Sequence, residues 1–245
     1  MSKTKLWLNK FVIAINKTLT IVLDALFPVR CLGCGKFDEW ICSRCHTRLP
    51  ILTEQKCPNC KKHTTKNGEI CPACLKNSNQ TFDGVFVASY YHDPLLKKAI
   101  HYYKYRFVHD LSEPLALLLA QALQNSTLPT FDIIIPVPLH SRRERWRGFN
   151  QVSSLAKELD LQIPLITDIL IRVRYTVPQV KMKNKNDRQK NLTNAFAIKN
   201  KSQVKDKNIL LIDDVITTGT TLSECSMVLK RSGAKSVFCL VLARE

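Results

Sequence analysis

The stretch NILLIDDVITTGTTLSE (Asn208–Glu224) opens on a short apolar run, meets two adjacent aspartates, and passes through threonines around one glycine into a helical pattern. A short apolar run bounded by turn residues reads as a buried strand. In an α/β sheet a parallel strand delivers its C-terminal end to the ligand side. Asp213 and Asp214 are therefore expected at the strand end. Backbone N–H groups at the start of the next helix, with the hydroxyls of Thr217, Thr218, Thr220 and Thr221, make a cradle for a phosphate dianion. Gly219 lets the backbone come close without a Cβ in the way. Carboxylates only accept hydrogen bonds, which suits them to vicinal hydroxyls or to Mg2+. The stretch thus describes a sugar-phosphate site. The plainer alternative is a strand–turn–helix whose aspartates cap the turn.

Around it, strand and helix patterns alternate from about Phe82 to the end. FDGVFVASYY, FDIIIPVPLH, LITDILIRVR, AFAI and SVFCLVLA read as strands, and DPLLKKAIHYYKY, SEPLALLLAQALQ, NQVSSLAKEL and TLSECSMVLKRSG as helices, with Asn150 an N-cap. This alternation implies βαβ units and a mainly parallel sheet flanked by helices, an α/β fold.

Eight of the ten cysteines form four CxxC pairs, Cys31/Cys34, Cys42/Cys45, Cys57/Cys60 and Cys71/Cys74. Each pair forms a tight turn that aims two sulfurs at one ion, so two pairs complete a tetrahedral site and four pairs imply two structural Zn2+. Iron–sulfur ligation is the chemical rival. Sequential pairing, first with second and third with fourth, is favoured, and a nested pairing stays open. All-cysteine zinc sites usually hold a fold together without catalysis.

The chain carries 37 Lys+Arg against 20 Asp+Glu, a formal charge of +17. Such an excess points to a polyanionic partner, whether nucleic acid, phosphorylated ligand or anionic membrane surface, against the plainer case of a solvated basic surface. The first 28 residues contain apolar positions interrupted by Lys10, Asn16, Lys17 and Asp24. They suit neither a signal peptide nor a spanning helix. Trp7, Leu8, Phe11, Val12, Ile15 and Leu19 instead fall at the spacing of an amphipathic helix. A cytoplasmic protein is expected, with its N-terminal helix packed on the rest or lying at the inner face of the membrane.

Over Leu210–Thr221 the sequence closely resembles the 5-phosphoribosyl-1-pyrophosphate (PRPP) signature of type I phosphoribosyltransferases. IIPVPLHSRRERWRGFNQ lies where such enzymes place a pyrophosphate-binding loop, and Arg142, Arg143, Arg145 and Arg147 offer guanidinium forks for it. RVRYTVPQVKMKNKNDRQKNLTNAF lies where they place a flexible loop over the reaction centre, and Arg188 falls within it. The combination of cysteine knuckles, PVPLH…R.RGFNQ, R.R.T..Q…R..N…AF and LLIDDVITTGTT resembles the ComF family of competence proteins over nearly the whole chain.

That resemblance implies three parts: an N-terminal helix (1–30), a double zinc-ribbon module (31–80) and a type I phosphoribosyltransferase-like domain (81–245). It also implies a role in DNA uptake for natural transformation, beside a DNA-translocating helicase and the competence machinery. Two functional readings follow. One is a single-stranded DNA-binding uptake component that keeps a PRPP–Mg2+ pocket, with Tyr102, Tyr103, Tyr105, Trp146 and Phe149 as candidate base contacts. The other is a working pentosyltransferase of unknown acceptor, or a PRPP sensor. In that chemistry Asp213, Asp214 and Arg188 serve the reacting groups, Thr217–Thr221 the 5-phosphate, and Arg142, Arg143 and Arg147 the pyrophosphate.

Overall fold

The computed structural model describes residues 28–76, 80–124, 126, 128–175, 192 and 194–245. The expected N-terminal helix lies outside them but for its last three residues, as does Arg188. The chain divides into two compact units, Met1–Arg48 and Leu49–Glu245.

In the smaller unit, a turn closes from the Gly35 N–H to the Cys31 carbonyl at 2.9 Å. Gly35 there has φ +77°, a left-handed conformation that glycine adopts freely. A short helix, α1 (Ser43–His46), begins just after Cys42.

The larger unit repeats that design and then builds the sheet. The Lys61 N–H closes a second turn onto the Cys57 carbonyl at 2.9 Å, and α2 (Pro72–Leu75) begins just after Cys71. The order then runs β1 (Gly84–Tyr90), α3 (Pro94–Tyr105), α4 (Ser112–Gln124), β2 (Ile133–Pro136), α5 (Ser141–Arg147), α6 (Gln151–Glu158), β3 (Leu170–Arg172), β4 (Phe196–Ile198), β5 (Asn208–Ile216), α7 (Thr220–Arg231) and β6 (Ser236–Arg244).

Four strands form a parallel sheet in the order β1-β6-β5-β2, while β3 and β4 pair antiparallel. Their apolar runs are continuous because helices bury both faces, as the sequence pattern requires. Val85, Ile135, Leu211 and Val241 are among the buried residues of one hydrophobic core cluster. Helix starts follow their caps: Asp93 accepts from the Leu96 N–H at 2.8 Å, and Asn150 from the Val152 N–H at 3.1 Å. Among the described residues no helix is long and apolar enough to cross a membrane.

Two elements differ from expectation. The aspartates do not end their strand: β5 stays paired with β6 as far as Ile216, because β6 is equally long, whereas β2 stops at Pro136 opposite Ile212. Residues 213–216 therefore have one open edge. The expected arginine loop is largely helix α5. His140 caps it by accepting from the Arg142 N–H at 3.2 Å, and Gly148 ends it at φ +83°. Arginine and glutamate are good helix formers, so the stretch keeps its own helical preference.

The second cysteine segment is built onto the outer edge of β1. Gln55 imitates a strand there: its Nε2 donates to the Val87 carbonyl at 3.1 Å and its Oε1 accepts from the Val87 N–H at 2.8 Å. The Leu52 N–H donates to Ala88 O at 2.8 Å, and Glu69 bridges Gly84. Covering an edge strand this way removes a site of unwanted pairing. Gly68 lies so close that a Cβ would sit 1.8 Å from the Val85 carbonyl oxygen, and its φ is +68°. Gly68→Ala is therefore expected to destabilise the larger unit by about 3 kcal/mol or more, read as a lowered denaturation midpoint at unchanged m-value. An unshifted midpoint would show that the contact is not tight.

Candidate functional site

The cysteines gather sequentially. Cys31, Cys34, Cys42 and Cys45 form one group and Cys57, Cys60, Cys71 and Cys74 another, with the sulfurs of each group within 4.8 Å of one another. Cys34 and Cys42 Sγ are 3.6 Å apart, and Cys60 and Cys71 Sγ 3.8 Å. A tetrahedral ion with bonds of about 2.3 Å requires edges of about 3.8 Å, so each group fits one Zn2+ rather than a multi-iron cluster.

In each group one sulfur is drawn down and another pushed up: burial, and next the neighbouring cysteine side chains, raise Cys45 and Cys71 to about 12. The Cys42 N–H points at Cys31 Sγ and the Cys71 N–H at Cys57 Sγ, both at 3.4 Å. Burial pushes Cys31 up, but backbone N–H groups of Cys42, Cys34 and Gly33 outweigh it and bring its pKa to about 6. At the second group the backbone and ring of His63 bring Cys60 to about 5.

The second candidate site is a cavity of about 1000 Å³ over the open edge of β5. Its floor holds Asp213 and Asp214 with Thr217 and Thr221. The first helical turn after β2 contributes Arg142 and Arg143, Arg147 follows one turn later, and β3 contributes Arg172. Helix α3 adds His101, Lys104 and Tyr105, and Trp146 and Tyr175 complete the aromatic side. Thr218, Gly219 and Thr220 do not line the cavity. They shape the entrance to α7, where Gly219 holds φ +76° and Thr218 and Thr220 share a hydroxyl contact of 2.8 Å. Gly219 is thus needed chiefly for its backbone angle, since a Cβ there would meet nothing closer than 3.4 Å.

The carboxylates have distinct partners. Asp213 Oδ1 accepts from the Asp214 N–H at 2.8 Å, a donor that β2 no longer reaches. Asp214 Oδ1 accepts from the Val215 N–H at 2.6 Å and pairs with Lys104 Nζ at 2.9 Å, with only 15–20 % of either side chain exposed. No described residue engages Oδ2 of either aspartate. The pair therefore fits a role in holding hydroxyls, directly or through a hydrated Mg2+.

Burial, and next the Asp214 charge, push Asp213 from 3.8 to about 7. The folded chain therefore holds a proton there that the unfolded chain has lost between pH 4 and 7, so stability falls as pH rises through that window. Asp213→Asn is expected to flatten this slope and to melt above the parent at pH 8. Melting curves at pH 5 and pH 8 check it; equal slopes would refute the assignment.

Arg147 and Arg172 are drawn into the protein, whereas Arg142 and Arg145 are exposed. Arg147 donates to Gln151 Oε1 at 2.7 Å, while its buried Nε finds no partner among the described residues. Burial, and next the nearby Arg143, bring Arg172 down to about 10. A cluster of like charges that depresses its own members favours an incoming anion.

Of the aromatic candidates, Tyr103 is fully buried and donates its hydroxyl to Gln151 O at 2.7 Å, so it is core and not a base contact. Phe149 packs against it at 5.8 Å between centroids. Trp146 and Tyr105 are exposed. Lys104 and Arg172 were not singled out from sequence. The one available signal for Lys104 was its place four residues after Ile100, on the apolar stripe of its helix.

Residues 146–245 match the family model described as the phosphoribosyl transferase domain, and residues 22–76 that of the double zinc ribbon domain. The chain is similar to Competence protein F of Haemophilus influenzae, with 32 % identity over 229 residues covering 89 % of this chain and 98 % of that one. It is 33 % identical over 214 residues to the DNA utilization protein YhgH of Salmonella typhi, covering 84 % and 92 % of the two chains. Competence protein ComFC of Bacillus subtilis is 26 % identical over 246 residues, covering 94 % and 97 %.

Proposed function

Because the chain belongs to the ComF family of competence proteins, we propose that it takes part in DNA uptake for natural transformation, binds single-stranded DNA, and holds PRPP with Mg2+ in the cavity over β5. The observation that carries the phosphoribosyl reading is the meeting, in one cavity, of the signature aspartates and threonines with arginines from a separate helix and strand.

In this reading Asp213 and Asp214 hold the ribose hydroxyls through their Oδ2 atoms. The Thr217–Thr221 loop and the backbone N–H groups opening α7 take the 5-phosphate. Arg142, Arg143, Arg147 and Arg172 take the pyrophosphate, as guanidinium forks match its oxygens. Lys104 neutralises Asp214, so that the floor does not repel the anion. Mg2+, when bound with PRPP, offsets the charge of the pyrophosphate leaving group. Arg188 belongs to the same proposal as a further cation for the pyrophosphate. The two zinc centres are structural. The helicase and other uptake proteins are its partners, and the cytoplasm, at the inner face of the membrane, its place of work.

The cavity volume supports a second reading. At about 1000 Å³ it stands at the upper end of ligand pockets, with room for an acceptor beside PRPP. In a transferase the acceptor would attack the anomeric carbon while the bond to pyrophosphate breaks and its electron pair leaves with that group. Calorimetric titration of PRPP and Mg2+ into the zinc-loaded protein tests the shared premise. Binding by the parent and its loss in Asp213→Ala are expected; no heat from the parent would exclude both readings.

A further inference from the structure

Helix α5 distributes its arginines over two faces. Arg143 and Arg147, four residues apart, are half-buried towards the cavity, while Arg142, Arg145 and Trp146 are exposed. Around the same opening stand rings that folding leaves in water. Trp146 is 65 % exposed, and Tyr105 and Tyr175 are 45 % exposed. The only other exposed large aromatics among the described residues are Phe37 and Tyr90, so three of five line this one cavity. Exposed aromatics concentrated in one place mark a contact surface.

These rings are held, not loose. The Arg147 guanidinium lies 5.9 Å over the Tyr105 ring, Arg142 and Arg143 lie 5.2 and 5.6 Å over Tyr175, and Phe107 meets Trp146 edge-on at 4.8 Å. Each is fixed by a neighbour yet keeps open ring surface. Among the described residues the cavity presents five cations, Lys104, Arg142, Arg143, Arg147 and Arg172, against the carboxylates of Asp213, Asp214 and Glu245, and Arg145 adds an exposed charge beside Trp146. Rings interleaved with guanidinium groups suit a flexible chain of bases and phosphates: bases stack on π-faces while phosphates meet cations. A polypeptide would need apolar side chains for the rings and repeated acidic ones for the arginines, a narrower match.

We propose that Tyr105, Trp146 and Tyr175 form a stacking rim that carries single-stranded DNA across the mouth of the phosphoribosyl cavity, its phosphates on Arg142, Arg143 and Arg145. This deepens the proposed single-stranded DNA reading and rests on it. One consequence goes beyond that reading. Arg142 and Arg143 serve both the strand and a pyrophosphate group, so the two ligands compete. Filling the cavity with a diphosphate then loosens the strand, which gives the small ligand control over DNA handling.

The test measures binding of fluorescent oligo(dT) to the full zinc-loaded chain by anisotropy. Trp146→Ala and the double variant Tyr105→Ala/Tyr175→Ala are each expected to weaken binding about tenfold. Leu117→Ala, exposed on α4 and outside the cavity, is expected to leave it unchanged. An abasic strand of equal charge should bind the parent as weakly as oligo(dT) binds the ring variants. Saturating inorganic pyrophosphate should weaken oligo(dT) binding to the parent. If the parent binds oligo(dT) with steep salt dependence and the ring variants bind equally well, the rim is refuted while the DNA reading stands. Pyrophosphate without effect, or with a strengthening effect, would overturn the shared-arginine claim. A parent that binds no oligo(dT) would overturn the DNA reading and the rim together. Melting curves confirm that each variant is folded.

Discussion

Cys71→Ser is expected to lower the melting temperature of the larger unit by about 12–24 °C, whereas Cys34→Ser should leave that transition in place although each variant loses one of two zinc ions. The asymmetry follows from where the chain divides. Cys34 belongs to the unit that ends at Arg48, and Cys71 to the one that carries the sheet. Six hydrogen bonds join residues 50–61 to β1 and to the end of β6: those of Leu52, the two of Gln55, Ser89 to Pro50, Arg244 to Lys56, and Lys61 to the Glu245 carbonyl. At about 1 kcal/mol each their loss costs about 6 kcal/mol, and about 2–4 °C per kcal/mol for a unit of this size gives the range above. Structural zinc in small finger peptides contributes about 10–16 kcal/mol at neutral pH, so its removal is ample to melt the segment that makes these bonds. Calorimetric melting of both variants, with zinc content measured, decides the matter. Equal shifts for the two variants would show that the second cysteine group does not support the sheet.

Lys104→Gln should be the most damaging single change inside the cavity. It strands Asp214, whose side chain is 15 % exposed, beside Asp213 with no other ion-pair partner among the described residues. Breaking a buried pair by removing one partner costs about 3–5 kcal/mol, because the remaining charge keeps its desolvation penalty. Some residual exposure places the expected value near 3 kcal/mol. Burial alone lowers the Lys104 pKa, but attraction from Asp214 and Asp213 outweighs it and raises the value above 10.5. A raised lysine contributes stability that is fully present below its unfolded pKa and lost only in strong alkali. The cost of Lys104→Gln should therefore persist at neutral pH. It should be larger at pH 8 than at pH 5, because Asp213 gains its charge near pH 7. The same variant should weaken binding of PRPP by about tenfold or more, since an uncompensated carboxylate then faces the anion. Chemical denaturation at the two pH values, with a PRPP titration, measures both effects. A variant as stable as the parent at pH 8 would mean that the ion pair adds nothing to the fold.

Much of this molecule can be read along the chain, and the limit of that reading is physical. Continuous apolar runs such as ILLI and IIIP announced buried parallel strands, and Asp93 and Asn150 cap helices as local chemistry dictates. The sequential grouping of cysteines also follows from short-range turns, because neighbouring pairs are the cheapest to close. Tertiary pairing was not legible. Lys104 meets an aspartate that lies more than a hundred residues away, and nothing local to either residue signals it. Gln55 likewise completes the edge of β1 from inside a segment whose ligand spacing says nothing about where it docks. The loop expected at residues 141–147 became a helix because functional position and helical propensity are separate properties, and the four arginines satisfied both. Tyr103 was legible only as one of three neighbouring aromatics; which ring turned inward was set by its helix face and by Gln151.

The threonine loop and the arginines are proposed to act on one ligand at once, the loop on its 5-phosphate and the arginines on its diphosphate. The most direct measurement compares dissociation constants of PRPP, ribose 5-phosphate and inorganic pyrophosphate, each with Mg2+, on the same zinc-loaded protein by calorimetry. Joining two recognised groups in one molecule makes the second contact intramolecular, so PRPP is expected to bind at least about a hundredfold more tightly than either fragment. Pyrophosphate binding as tightly as PRPP would contradict the claim, because the arginines would then be acting without the aspartate–threonine site.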